Sequence, residues 1–592
     1  MFGLLTLLTI SKLLFKYLRF YKARRSVALG RSPRLIVGYM AELTESQGTG
    51  QHIPPPALIV QGEETGKIEK GPRGYSFEGT PEPDQGDGTS RECSQLVTLD
   101  RVWGLDDDKL PSSKPKDLCF SFALFKLLRC RFAKYTVLEA GFMKASRFFQ
   151  AILLEGNDYE RVFRVVADEL SFIHDYYYST PPSNIILSLF SIGCCSYMAV
   201  FIWRAFRYLG GYEQIYCLVW CPDKHSRRKS GDRSLFRIGH GNNKIGTYLD
   251  FGNTYYDVVP VCLVILVLVF SEIRDIVSRI GSKWSKVALV CKYAKNASDP
   301  ERSTTCLQKR IAFVFRFCRF RLVKSWEGKM NQCSILVLCP CKISLLARRL
   351  LRLPNQRKTK VPRQLQEAIF QALKREDLTS EQAGGLKLIR PPLSPFLDST
   401  TGLRLNAFSV ISGKGAADTI LGWHIATSIY EVRHPQPSDA KVAATHLSRY
   451  CAYLVIYLPG LLPDDDEWCE SLHQAVKKDA DRALAGRAGS AVLTPEAKYQ
   501  QLVDLLSADS NHEVLKNGAW LGKQLVNLQT GWGALARFWS EMILYVAPSE
   551  NLDGHAEAIA CGGELITLLW ALLAHAGIAS RETRSPPAAD QI

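Results

Sequence analysis

The sequence predicts a mainly α-helical protein with integral membrane helices, a helical C-terminal domain and a disordered N-proximal linker. Three observations carry this. Two long apolar runs, Ile185–Trp203 and Tyr255–Phe270, lie in the middle of the chain. A helix needs about 20 mostly apolar residues to cross a bilayer core, where it must satisfy every backbone polar group within itself. Apolar residues recur at helical spacing on both sides of these runs. The stretch Glu45–Glu92 is rich in Gly, Pro, Thr and acids, too poor in apolar surface to fold tightly.

The order of elements follows from local pattern. Met1–Tyr21 has an apolar stretch interrupted by Lys12, and Lys16, Arg19, Lys22, Arg24 and Arg25 follow. A secretory signal would carry its charge first, so residues 1–21 are expected to be a membrane anchor with a cytosolic basic end. Residues 22–92 are expected to be a flexible linker with a short strand pair, Ala57–Glu64 and Gly74–Gly79. Residues 93–374 are expected to form a membrane-associated helical domain with spans near 185–203 and 255–270. Its helices include Asp117–Lys134, with a basic end that suits a helix C-terminus, and Asp158–Tyr178, which ends before the Pro181-Pro182 break. Between the spans, Arg204–Thr254 is a polar basic loop. Farther on, Ile311, Phe315, Cys318 and Leu322 follow helical spacing among basic residues, as in a membrane-surface helix. Cys333–Ile343 is too short to span and is broken by Pro340, which fits a buried or re-entrant piece. Gln364–Lys374 reads as a short helix.

Residues 375–406 contain Pro and Gly and are expected to be a connection. Residues 407–578 form the C-terminal helical domain, with helices at Ala416–Tyr430, Ala443–Tyr457, Asp466–Ala485, Pro495–Leu506, Gly531–Val546 and Gly562–Gly577. The last is nearly all apolar but about four turns long, the length of a buried core helix. Residues 579–592 are expected to be a disordered tail.

The 592 residues carry a formal charge of +16, unevenly spread. Glu301–Lys360 holds fifteen Lys/Arg against two acids, whereas Leu461–Ile592 holds ten against eighteen. A basic segment of this kind contacts a polyanion. Nucleic-acid binding would need a recognised module, which is absent, so anionic lipid headgroups are the expected contact. The residues assigned to it are Arg316, Arg319, Arg321, Lys324, Arg348, Arg349 and Arg352. The seventeen Cys are scattered along the chain rather than crowded into a secreted scaffold, which favours reduced thiols facing the cytosol.

No pattern of residues reaches a catalytic or metal-binding signature. Cys333, Cys339 and Cys341, with Cys306 and Cys318 upstream, lack the paired spacing and the histidine of a zinc site. Apolar packing is their default, with S-palmitoylation the rival. Ser412-Gly413-Lys414-Gly415 resembles a phosphate loop without its full pattern and reads as a turn before a helix. Asp464–Glu467 lacks the ligand spacing of a calcium loop and reads as an acidic helix N-terminus. His424 and His575 have no nucleophile at a telling spacing and read as packed side chains. No cofactor is expected.

Several segments together resemble a membrane-protein family that pairs domain of unknown function 4220 with a C-terminal domain of unknown function 594. They are Ala23-Arg24-Arg25, Leu96–Trp103, Lys116–Tyr135 and Asp158–Tyr178, then Leu421–Tyr430, His446–Pro463, Asn511–Leu525, Phe538–Pro548 and His555–Ile578. The resemblance implies a plant protein from a family expanded in grasses, with multiple spans and a helical C-terminal domain. It brings no activity, substrate or cofactor. Members carry several membrane helices ahead of the Ala-Arg-Arg segment, so the resemblance also implies a shortened N-terminus. The expected function is that of a non-enzymatic integral membrane scaffold or partner-binding protein. Its partners would be membrane lipids and a protein held by the C-terminal domain; the alternative is a transporter or channel component.

Overall fold

The computed structural model describes residues 31–43, 54–63, 68–77, 96–105, 113–139, 141–156, 158–178, 185–208, 214–219, 236–237, 247–297, 309–311, 313–314, 328–336, 359–381, 387–397, 404–406, 415–485, 494–508 and 510–582, with isolated positions at 10, 14 and 17. Most of the expected N-terminal anchor, and most of the basic segment, lie outside them. The chain divides into two compact units. One comprises residues 1–24, 180–285 and 316–322, and the other comprises 25–179, 286–315 and 323–592.

In the larger unit, helix α1 (Arg31–Glu42) starts the described chain. Three short strands follow, Ile59–Gln61, Ile68–Lys70 and Tyr75–Phe77. This part of the expected disordered linker is therefore structured. The two expected strands do not pair with each other either. Tyr75–Phe77 pairs with Ile68–Lys70, because Gly71–Gly74 makes a tight turn closed by a 3.1 Å backbone hydrogen bond. The apolar Ile59–Gln61 instead pairs with Val97–Thr98, where Ile59 and Val60 are buried. The hairpin sits so close to α1 that a Cβ at Gly74 would lie 1.9 Å from the Gly38 carbonyl oxygen.

Short α2 (Leu99–Trp103) leads to α3 (Lys114–Phe132), which is buried on nearly every face. Its ionic residues Lys116, Asp117, Lys126, Arg129 and Arg131 are themselves buried, and most of them meet a partner from another element. Helix α4 (Phe142–Phe149) continues into a π-helical turn. Helix α5 (Tyr159–Tyr177) is capped by Asp158, whose carboxylate accepts the Arg161 N–H at 3.0 Å. Phe120, Phe122, Phe125, Phe148 and Phe172 pack edge-on or tilted between these helices.

The smaller unit holds α6 (Ile185–Tyr208) and α7 (Thr254–Ile280), with a three-stranded sheet of Gln214–Val219, Thr247–Asn253 and Phe236–Arg237 in the expected loop. The two helices pack along a seam of Cys195, Met198 and Ile265. Among the described residues, no helix is long and apolar enough to cross a membrane. The expectation of integral membrane helices near 185–203 and 255–270 is corrected accordingly. Beyond Phe270, α7 continues through Glu272, Arg274 and Asp275, so charges follow its apolar part within the same helix.

Helix α8 (Lys283–Ala297) brings Val287, Val290, Cys291 and Tyr293 into the core of the larger unit. Residues 328–336 follow as a buried extended segment, of which Lys329–Met330 pairs with Thr359–Lys360. Helix α9 (Arg363–Leu373) matches the short helix expected there. The expected connection 375–406 contains strands, including Lys387–Ile389, which runs parallel to Ile578–Arg581. The chain expected as a tail thus begins in a sheet.

The C-terminal helices are α10 (Ala416–Arg433), α11 (Asp439–Tyr457), α12 (Asp466–Ala485), α13 (Pro495–Ala508), α14 (Glu513–Asn527), α15 (Gly531–Val546), α16 (Leu552–Ala560) and α17 (Leu565–His575). Six of these coincide with expected helices; α14 and α16 were not foreseen. Helices α10 and α14 cross closely, where a Cβ on Gly518 would lie 2.8 Å from Ile425 Cβ and one on Gly522 3.0 Å from Ile429.

Candidate functional site

The apolar hairpin is the feature with the clearest outward chemistry. Helices α6 and α7 bury one narrow seam against each other and leave large apolar side chains outside. Phe190, Tyr197, Phe201 and Trp203 on α6 are 54–61 % exposed, and Leu266, Val267 and Phe270 on α7 are 64–70 % exposed. Soluble monomers rarely expose contiguous apolar patches above a few hundred Å² (roughly 300–600 Å² for the largest). Within the hairpin Ser191 hydroxyl donates to Glu272 at 3.4 Å. The Asp257 side chain, the ionisable group nearest the second run, lies outside the described ones.

Several polar and charged side chains of the larger unit are buried. Lys126 donates to both Glu63 oxygens at 2.6 Å in the interior. Burial acts against the Glu63 carboxylate, but Lys126 outweighs it and holds the carboxyl below its usual range. Asp117 receives the Arg161 guanidinium at 2.7 Å and Arg164 at 3.3 Å. The Arg129 guanidinium lies 4.4 Å from the centre of the Tyr176 ring. Farther along, Arg131 reaches Glu550 at 2.9 Å.

A second set of buried contacts centres on α17. His575 Nε2 meets both Glu169 oxygens at 2.8 Å, and both side chains are fully buried. The imidazole stacks on Phe142 with ring centroids 5.1 Å apart. Burial raises the Glu169 carboxyl against the opposing pull of His575. Nearby, His555 stacks on Trp570 at 4.2 Å and meets Thr567 Oγ1 at 3.1 Å. Burial, with Arg131 adding to it, drives the pKa of His555 down to about 3.

A third node joins the extended segment to the C-terminal helices. Asn331 amide donates to Tyr453 hydroxyl and to Glu564, each at 3.0 Å. The Tyr450 and Tyr453 hydroxyls both donate to Glu564 at 3.2 Å. His424 accepts the Ile335 N–H at 3.3 Å and meets Ser448 Oγ at 2.9 Å. Burial and then Arg449 bring its pKa to about 3. A neutral, fully packed imidazole of this kind is a structural hydrogen-bond group rather than a base poised near neutrality.

The sequence-predicted positions separate clearly. All seven basic residues assigned to lipid headgroups (316, 319, 321, 324, 348, 349 and 352) lie outside the described residues, as do Cys306, Cys318, Cys339 and Cys341. Cys333 is buried, and burial raises its thiol. The helix N-terminus that follows Gly415 is already filled: Asp464 accepts the N–H groups of Ala416 and Ala417. Asp465 in turn accepts the Trp468 N–H at 3.1 Å, at the start of α12. Among the described residues, no group of three or more His, Cys, Asp or Glu is placed to hold a metal ion. Sequence reasoning did not find the Glu63–Lys126, Glu169–His575 and Asn331–Glu564 contacts, because no spacing signal links residues so far apart in the chain.

Two family models match the chain. The first, described as a domain of unknown function (DUF4220), covers residues 2–339. The chain belongs to the DUF4220 family. The second, described as a protein of unknown function (DUF594), covers residues 527–578. This is the expected pairing. No curated protein and no solved structure matches the chain. The structure adds that the two matched segments of this DUF4220 protein share one core. Glu169 and His575 belong to different segments, as do Arg131 and Glu550, and Phe132 and Trp570.

Proposed function

We propose that this DUF4220 protein is a non-enzymatic scaffold held at a membrane, with lipid against the α6–α7 hairpin and a protein partner bound through its C-terminal helices. The observation that carries the reading is the exposed apolar face of the hairpin, led by Phe270 at 70 % and Val267 at 67 % exposure. Burying such side chains in an apolar phase is favourable by about 25 cal/mol per Å². The buried, hydrogen-bonded polar groups of the larger unit support a binding rather than a catalytic role. For the partner, Trp520 on α14 and Leu528 just past its end are 52 % and 60 % exposed. Exposed aromatic side chains of this kind anchor protein interfaces.

Flotation of the full chain with phosphatidylcholine vesicles tests the lipid half of the reading. The parent protein floats, and the Val267→Glu/Phe270→Glu variant stays in the dense fraction. A parent protein that remains at the bottom of the gradient defeats the membrane role. For the partner, quantitative affinity capture compares the parent with Trp520→Ala. A protein retained by the parent and lost by the variant supports the scaffold role, and identical captured sets refute the proposed face. Ion flux through vesicles carrying the protein would replace the scaffold by a transporter or channel component.

A further inference from the structure

The extended segment 328–336 is held by the C-terminal helices much as a bound peptide is held. Two of its backbone N–H groups meet fixed acceptors. Cys333 N–H donates to the Arg449 carbonyl oxygen on α11 at 3.1 Å, and Ile335 N–H donates to His424 Nε2 on α10 at 3.3 Å. One of its side chains meets a matched pocket. Asn331 amide donates to the Tyr453 hydroxyl and to Glu564, each at 3.0 Å. Tyr450 fixes the receiving group, since its hydroxyl accepts the Ile566 N–H at 3.0 Å and donates to Glu564 at 3.2 Å. An ionised carboxylate only accepts, and the Tyr453 hydroxyl gives its own hydrogen to Glu564. The pocket therefore takes a group with two N–H donors, which a primary amide supplies and a carboxylate does not. Met330, Ile335 and Leu336 of the segment are 1–2 % exposed. The fit is incomplete at two atoms. Asn331 Oδ1 and Gln332 Nε2 are buried without a hydrogen-bond partner among the described residues. Such atoms oppose burial, so the segment is held by specific contacts yet is easier to release than one fully matched.

We propose that His424, Arg449, Tyr450, Tyr453 and Glu564 form a recognition site for an extended peptide, that residues 329–336 fill it as a latch, and that a protein partner carrying the same pattern displaces them. The pattern is a primary-amide side chain at the Asn331 position with bulky aliphatic residues four and five positions on, as Ile335 and Leu336 are. Free main-chain N–H groups two and four positions after the amide complete it. Main-chain hydrogen bonds that give affinity, with side-chain pockets that give specificity, are a general mode of binding extended peptides. The site uses no residue of α14 or of the α6–α7 hairpin, so it is separate from the surfaces carrying Trp520 and Phe270. The latch also joins the two matched family segments, since residues 329–336 lie in the first and Glu564 in the second.

The test adds a fluorescent peptide of residues 328–337, carrying Cys333→Ser so that it has no thiol, to the full-length protein. The peptide is expected to bind saturably, and a peptide that also carries Asn331→Asp is expected not to bind. In full-length Asn331→Asp the new carboxylate faces Glu564 and loosens the latch. The first peptide should then bind at least about tenfold more tightly, because a site closed by its own chain lowers the apparent affinity by the open fraction. Absence of saturable binding to both proteins overturns the proposal. The parent protein also gives a readout that needs no substitution in the chain. Cys333 lies in the latch and Cys451 on α11, and both are buried. With iodoacetamide under native conditions Cys333 is expected to react at least about tenfold faster than Cys451, as local opening is less costly than global unfolding, and faster still with excess unlabelled peptide. Equal rates at the two cysteines would show that the segment is fixed core, released only when the whole unit unfolds, and overturn the latch.

Discussion

His424 and His555 show how single residues are set by their surroundings. Each is fully buried, and burial lowers each pKa to about 3. In the unfolded chain a histidine titrates near about 6.5. Below that pH the unfolded state binds protons that the folded state refuses, so their contribution to stability is complete above about 6.5 and falls as the pH drops toward 3. The slope is up to about 1.4 kcal/mol per pH unit for each histidine. Glu169 works in the other direction: its carboxyl is raised by burial, so its contribution is present at low pH and is lost as pH rises through the raised value. Denaturant unfolding of His555→Phe between pH 7 and 5 checks the histidine effect. The variant keeps a ring on Trp570 and is expected to lose up to about 1.4 kcal/mol per pH unit of the parent's slope, most of it below about pH 6.5. An unchanged slope would show that His555 is not the titrating group.

At the scale of elements, the α10–α14 crossing depends on two glycines. Substituting alanine in a helix gains up to about 1 kcal/mol in propensity. At Gly518 the new methyl would meet Ile425 Cβ at 2.8 Å and the Gly422 carbonyl oxygen at 3.0 Å, and overpacking costs about 1–3 kcal/mol. Gly518→Ala is therefore expected to lower stability by about 1–2 kcal/mol on balance. At Gly533 in α15 a Cβ meets nothing within 4 Å, so Gly533→Ala is expected to be neutral or stabilising by up to about 1 kcal/mol. Thermal unfolding of the two variants side by side decides this; equal shifts would mean that the crossing tolerates a methyl. These glycines also explain why α14 was missed. Gly518 and Gly522 read as breakers in sequence, whereas tertiary packing selects them for close approach. Leu552–Ala560 was missed for a similar reason, since Gly554 interrupts a nine-residue helix that is too short to show periodicity.

Over the whole molecule, the larger unit is built from segments widely separated in sequence. Trp570 packs edge-on against Phe132 at 5.9 Å, His575 holds Glu169, and the strand Ile578–Arg581 lies beside Lys387–Ile389. Residues 407–592 produced alone would leave the α17 surface uncovered and His575 without its carboxylate. That fragment is expected to aggregate or bind a hydrophobic dye, and to recover a cooperative transition when 1–406 is supplied in trans. A fragment that unfolds cooperatively at the temperature of the intact protein would show that the segments fold independently.

Residue order alone was enough for most helices from α3 to α17 and for the apolar character of 185–203 and 255–270, because periodicity and hydropathy are local properties. It also carried the pairing of the two family segments. Tertiary structure decided which strands pair, that the chain from Arg31 to Phe77 contains ordered elements, and that helical apolar runs do not by themselves make spans. It also decided the buried contacts: Glu63 with Lys126, and Glu169 with His575. The partners in each pair come from different elements, and neither partner's neighbours in sequence reveal the other. A buried charge or thiol acquires its chemistry from whatever the fold places beside it, and that placement depends on packing among elements distant in the chain.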